Sequence, residues 1–138
     1  MSVFIDISAA LDGQLNTMAS LPPVAWENTT YEPVVGTLYL RPTNLQGATV
    51  QSSLGTSGTD ETIGIYQVDI FAPAGKGKNA AVVMADNIAN HFKRGTRLSY
   101  NSRIVTVTSA QRGGSLNADG WFMLSVEIIY RSFTEARA

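Results

Sequence analysis

The chain has 138 residues, 44% of them hydrophobic and 15% charged, with no cysteine and a formal net charge of −1. That length fits one hydrophobic core, the apolar share excludes a disordered chain, and the near-neutral balance excludes a general attraction to nucleic acid. No disulfide can form, no apolar run approaches the roughly 18 residues of a membrane span, and Met1-Ser2-Val3-Phe4-Ile5-Asp6 lacks the features of a signal peptide, so the chain is expected in the cytosol when made.

Along the chain, Phe4, Ile7, Leu11, Leu15 and Met18 recur at helical spacing and predict a helix over 4–20, with Asp6 and Asp12 off the apolar stripe. Pro22-Pro23 stops it. Val24-Ala25-Trp26 reads as a short strand, with Trp26 a partly buried anchor. Residues 34–41 alternate, Leu38 and Leu40 on one face, Tyr39 and Arg41 on the other, and Pro42 is expected to end that strand. Residues 42–60 run through Thr, Asn, Gln, Gly and Ser with only Leu45, Val50 and Leu54 as large apolar groups, which reads as a long polar loop.

A strand over 63–71 places Tyr66, Val68 and Ile70 opposite Ile65, Gln67 and Asp69. A second helix over 78–93 carries Ala81, Ala85, Ile88 and Phe92 as its stripe, with Lys93 and Arg94 in the last turn and Gly95 as a cap. Residues 103–109 form a short β-branched strand and 111–120 a glycine-bearing connection with Asp119-Gly120 near its end. Residues 121–133 are the strongest strand, with Phe122, Leu124, Val126, Ile128 and Tyr130 on one face. This order predicts an α+β domain spanning 1–138: a four- to five-stranded, mainly antiparallel sheet with two helices packed on one face.

The charges are unevenly distributed. Residues 1–75 carry seven acids and the single base Arg41, whereas residues 76–138 carry nine bases and four acids. Two arrangements are open: the charges intermingle in one sheet, or the molecule has an acidic and a basic side suited to head-to-tail contact with its own copies.

Catalytic templates fail on residue types. His91 is the only histidine and lies near the end of a helix. Without cysteine, a transition-metal site would rest on carboxylates, and no clustered set is evident. Gly55-Thr56-Ser57-Gly58 is one residue short of the nucleophile-elbow pattern. Gly75-Lys76-Gly77-Lys78 lies between a strand and a helix, but Asn79 follows where a phosphate loop needs Ser or Thr. Asp60-Glu61 reads as a solvated pair, and Glu127 lacks a visible acid–base partner. No enzyme is expected, and no metal or cofactor.

Several stretches, in order, resemble the tail terminator (tail completion) proteins of tailed bacteriophages and prophages. They are Pro23-Val24-Ala25-Trp26-Glu27-Asn28, Tyr31 with Pro33, and Tyr39-Leu40-Arg41-Pro42. Further on come Gly64-Ile65-Tyr66-Gln67-Val68-Asp69-Ile70-Phe71-Ala72-Pro73, Gly75-Lys76-Gly77, and Ala85-Asp86 with Ile88 and Phe92. The last are Asp119-Gly120-Trp121-Phe122 and Val126 to Arg131. The resemblance implies an α+β fold and a homohexameric ring at the head-proximal end of the virion tail, assembled in the bacterial host cytoplasm. Such a ring ends tube growth and offers the surface to which the head attaches. Implied partners are sister subunits, the major tail-tube protein, a head–tail connector or neck protein, and the tape-measure protein. No membrane, specific nucleic acid or cofactor is implied. A neck or head-completion connector and a small ligand-binding α+β domain are the alternative functions.

Tyr39, Ile65, Met123 and Ile129 fall on the face that a one-sided helix layer leaves uncovered, and Trp121 lies off the main apolar face of its strand. With Arg41, Arg131 and the loop residues Leu45, Val50 and Leu54, they are the candidate interface residues.

Overall fold

The computed structural model describes residues 3–51, 58–118 and 120–135. Helix α1 (Val3–Asn16) is followed by strands β1 (Tyr39–Gln51) and β2 (Thr59–Pro73) and helix α2 (Asn79–His91). Strands β3 (Arg97–Tyr100), β4 (Arg103–Ala118) and β5 (Trp121–Glu135) complete the chain. The strands form one antiparallel sheet in the order β1-β2-β5-β4-β3. This is the α+β architecture that the hydrophobic patterning predicts.

The centre of the sheet is the β2–β5 pair, in register from Thr59↔Glu135 to Pro73↔Trp121. Along it Tyr66, Val68, Ile70, Leu124, Val126, Ile128 and Tyr130 point to one face and are almost fully buried. Both helices cover that face. Ile7, Leu11 and Leu15 of α1 and Ala81, Ala85 and Ile88 of α2 join a core cluster that also takes Leu40 of β1, Leu98 of β3, and Val105 and Val107 of β4. Each large side chain sealed there stabilises the fold by about 2 kcal/mol. Phe4, expected on the α1 stripe, is 48% exposed; Ala10 is buried on that stripe instead.

The predicted loop over 42–60 is corrected: β1 runs through Pro42 to Gln51, and β2 begins at Thr59. Beyond Thr43 most of β1 is exposed, because the strand extends past the helix layer, and a ladder solvated on both faces needs no apolar alternation. Backbone pairing from Leu45↔Ile65 to Gln51↔Asp60, with a bulge between Gln46 and Thr49, holds it, and the Thr49 and Thr62 hydroxyls lie 2.9 Å apart. Pro42 fits inside the strand because β1 is a sheet edge, where one missing N–H leaves no ladder bond unmade. The strand predicted over 34–41 begins only at Tyr39; residues 35–36 make a turn, with Gly36 at φ 85° and the Thr37 N–H bonded to the Val34 carbonyl.

The predicted connection over 111–120 is corrected in the same way. Strand β4 continues to Ala118, bulged between Val107 and Ser109 and between Arg112 and Ser115, and pairs with Trp121 at the hairpin end. Its glycines mark a bulge rather than a loop. Asp119 lies outside the described residues. Helix α2 ends at His91, so Lys93 and Arg94 follow it rather than occupying its last turn.

Candidate functional site: the uncovered sheet face

With both helices on one side, the odd-numbered residues of β2 and β5 line a face on which no second layer packs among the described residues. Register brings together Tyr39, Phe71, Met123 and Leu116 in one cross-strand row, and Arg41, Asp69 and Ser125 in the next. Thr43, Gln67, Glu127 and Gln111 form a third row, and Leu45, Ile65, Ile129 and Ser109 a fourth. Ile63 and Arg131 follow, then Val50, Glu61 and Phe133. Nine of the ten candidate interface residues therefore share this surface; Leu54 lies outside the described residues.

The face has three zones. At one end Tyr39 stacks on Phe71, with centroids 4.7 Å apart and planes at 7°, and meets Trp121 edge-on at 5.1 Å. Tyr31 adds a tilted ring at 5.0 Å, and the Arg41 guanidinium lies 4.8 Å from the Phe71 centroid. Such ring pairs contribute about 0.5–1.5 kcal/mol beyond area burial. Burial is the main cause holding the Tyr39 hydroxyl above its usual pKa.

A polar belt crosses the middle. The Asp69 carboxylate is buried, yet it accepts from Arg41 Nη2 at 3.0 Å, Gln67 Nε2 at 2.8 Å and Ser125 Oγ at 2.7 Å. Burying a carboxylate is costly unless donors replace its water in this way. Glu127 accepts from Gln111 Nε2 at 3.0 Å. These carboxylates are held by donors that brace the sheet.

The other end is apolar and open: Leu45 and Val50 are each 48% exposed, Ile63 44% and Phe133 48%. Ile63, Phe133, Ile104 and Leu116 were missed as candidates, although Ile63 and Phe133 share the odd-numbered alternation of Ile65 and Ile129. Scattered exposed apolar groups are ordinary, but a contiguous set on one sheet face marks a contact surface.

The residues weighed for chemistry have structural surroundings. His91 Nε2 lies 2.7 Å from the Gln14 carbonyl, while Gln14 Nε2 donates to the His91 carbonyl at 2.9 Å, joining the C-terminal ends of the two helices. Gly75 and Gly77, at φ 82° and 78°, shape an exposed turn before α2. Glu61 lies 3.8 Å from Arg131. Among the described residues no group of three or more His, Cys, Asp or Glu side chains could hold a metal, and no helix is long and apolar enough to cross a membrane.

A family model described as "Phage tail terminator protein" matches residues 6–130. The chain belongs to that family. Membership gives this terminator a structural role in the phage tail, as a virion component that interacts with other tail or head parts, and it points away from enzymatic activity. No curated protein matches the chain. One solved structure aligns over 96% of this chain and 96% of its own, at 23% identity and a TM-score of 0.75, which establishes the shared fold alone.

Proposed function

We propose that this terminator forms a homohexameric ring at the head-proximal end of the tail tube. There it ends tube polymerisation and presents the surface to which the head joins. The whole chain acts as one domain, since a single core cluster draws on both helices and all five strands.

The observation that carries this reading is the uncovered sheet face. It is braced by its own aromatic cluster and polar belt, yet leaves a row of large apolar side chains half exposed. A surface of that kind is stable alone and gains by being covered, as a part of a larger assembly requires. The proposed partners are sister subunits, the major tail-tube protein, a head–tail connector or neck protein and the tape-measure protein. Assembly takes place in the bacterial host cytoplasm, without a cofactor.

The test is electron microscopy of tails made without this chain. Abnormally long or headless tails are expected, and tails of normal length that join heads would overturn the proposal.

A further inference from the structure

The topology turns the uneven charge along the chain into a spatial one. Because the sheet order is β1-β2-β5-β4-β3, the acidic first half supplies one sheet edge and the basic second half the other. On the basic side an open cleft of about 670 Å³ is lined by Arg97, Arg103 and Arg131, with no acid among the described residues that line it. Arg103 faces the buried Asp6 at 3.6 Å, and Arg131 lies 3.8 Å from Glu61. Arg97 is exposed on the edge strand and has no ion-pair partner among the described residues.

The acidic side is complementary. Asp12 and Glu27 line a notch of about 370 Å³ together with Trp26, Gly13 and Asn16, with no base among the described residues that line it. The Glu27 charge is felt at Asp12: burial chiefly raises the Asp12 pKa, the bond from Tyr66 opposes this, and the Glu27 charge adds to the rise. Two acids beside an indole suit a guanidinium, which can pair with carboxylates and stack on the ring.

Over residues 40–44 the backbone at this edge is occupied. The Leu40 N–H is bonded to the Pro23 carbonyl, Pro42 has none, and the Asn44 N–H donates to Glu27 Oε1 at 2.8 Å. Strand addition by another chain is therefore blocked here, and side-chain charge is what this edge offers.

We infer that a second copy of this chain docks its β1 edge against the β3 edge of the first, with Arg97 of one copy entering the Asp12–Glu27–Trp26 notch of the next. The two surfaces lie on opposite edges, so each copy uses one of each and the contact is head-to-tail, the kind that closes into a ring. This inference rests on the ring reading of the preceding subsection and assigns its subunit contact.

The test is sedimentation of the intact chain, alone and on purified tail tubes, with Arg97→Glu, Glu27→Arg and the double variant. Each single reversal sets like charges against each other, and self-association is expected to weaken at least about tenfold. Association should be restored in the double variant, and also in an equimolar mixture of the two singles, where every contact in an alternating ring is again complementary. Glu27→Gln, whose amide oxygen still accepts from Asn44, should weaken association less than Glu27→Arg, with an unchanged melting temperature. Wild-type-like association of Arg97→Glu, absence of rescue in both combinations, or a wild-type chain that stays single under both conditions would overturn the assignment. Intact rings in Arg97→Glu would leave tube capping standing. Normal tails in the absence of the chain would remove capping and leave the edge contact untouched.

Discussion

The Tyr66 hydroxyl donates to Asp12 Oδ1 at 2.5 Å, tying the buried centre of β2 to a half-buried position on α1. Burial of both groups moves both pKa values up: Asp12 chiefly because its charged form is desolvated, Tyr66 for the same reason and because tyrosinate would face the Asp12 carboxylate.

A stability profile follows from Asp12. Its folded pKa is raised above the ordinary 3.8, so between those two values the folded chain binds more protons than the unfolded one. The stability from this group is therefore complete below the unfolded value and is lost as pH rises through the folded one. Asp12→Asn keeps an acceptor for Tyr66 and removes the titration. The variant is expected to be more stable than the wild type at pH 7, with the gap narrowing as pH falls through the raised folded value and closed below about 4, near the unperturbed aspartate value. Urea denaturation at the two pH values measures it, and a gap unchanged by pH would contradict it.

Gly64 and Tyr130 face each other across β2 and β5, and a Cβ at position 64 would stand 2.5 Å from Tyr130 Oη and 2.7 Å from Cζ. The ring is fully buried, and its hydroxyl donates to Asn44 Oδ1 at 2.6 Å. Gly64→Ala must displace the ring, at a cost of about 1–3 kcal/mol. Burial, partly offset by the Asn44 bond, pushes the Tyr130 pKa up to about 12, so a displaced ring should titrate nearer 10. Ultraviolet titration of the variant reads this shift directly, and an unchanged tyrosine titration together with unchanged stability would refute the contact.

How far the sequence revealed these features depended on whether burial was one-sided. Helix α2 and strand β5 were legible because one face of each is sealed, leaving Ala81, Ala85 and Ile88 at helical spacing and Leu124, Val126, Ile128 and Tyr130 at strand spacing. The second half of β1 was not, because residues such as Gln46, Thr49 and Gln51 are held by ladder bonds that leave no hydrophobic signature. The uncovered face was readable from the odd positions Ile65, Met123 and Ile129. Its polar belt was not: Asp69 looks like a solvated acid until Arg41, Gln67 and Ser125, two of them on other strands, converge on it. The acidic and basic edges needed the strand order, which charge counts alone do not give.

The turn joining β3 to β4 consists of Asn101 and Ser102, at φ 50° and 66°, between the paired residues Tyr100 and Arg103. A two-residue hairpin with both central φ values positive favours Asn then Gly, and a serine held there stores of order 1 kcal/mol. Ser102→Gly is expected to raise stability by up to about 1 kcal/mol. Asn101→Gly should give no such gain, because Asn101 Nδ2 also donates to the buried Asp6 at 3.1 Å. Thermal melts of the two variants compare them, and equal gains would show that the Asn101–Asp6 bond contributes nothing.

The uncovered face makes the most direct functional prediction, provided that effects on folding and on contact are kept apart. Leu45 and Phe133 are half exposed there, so Leu45→Glu and Phe133→Glu are expected to cost about 1 kcal/mol of stability or less. If the tail tube or a neighbouring virion chain covers this face, each substitution buries a charge in the contact, and tube binding should fall at least about tenfold, equivalent to about 1.4 kcal/mol. Val83 serves as the control: it is 58% exposed on α2, on the opposite side of the molecule, and Val83→Glu adds the same charge at a comparable apolar site. Cosedimentation with purified tubes, alongside melting curves for all three variants, separates the outcomes. Binding lost at positions 45 and 133 and kept at 83 assigns the sheet face to the contact. Equal binding by all three would mean that the open face stays in solvent, and that the partners meet the terminator through its helices or its edges.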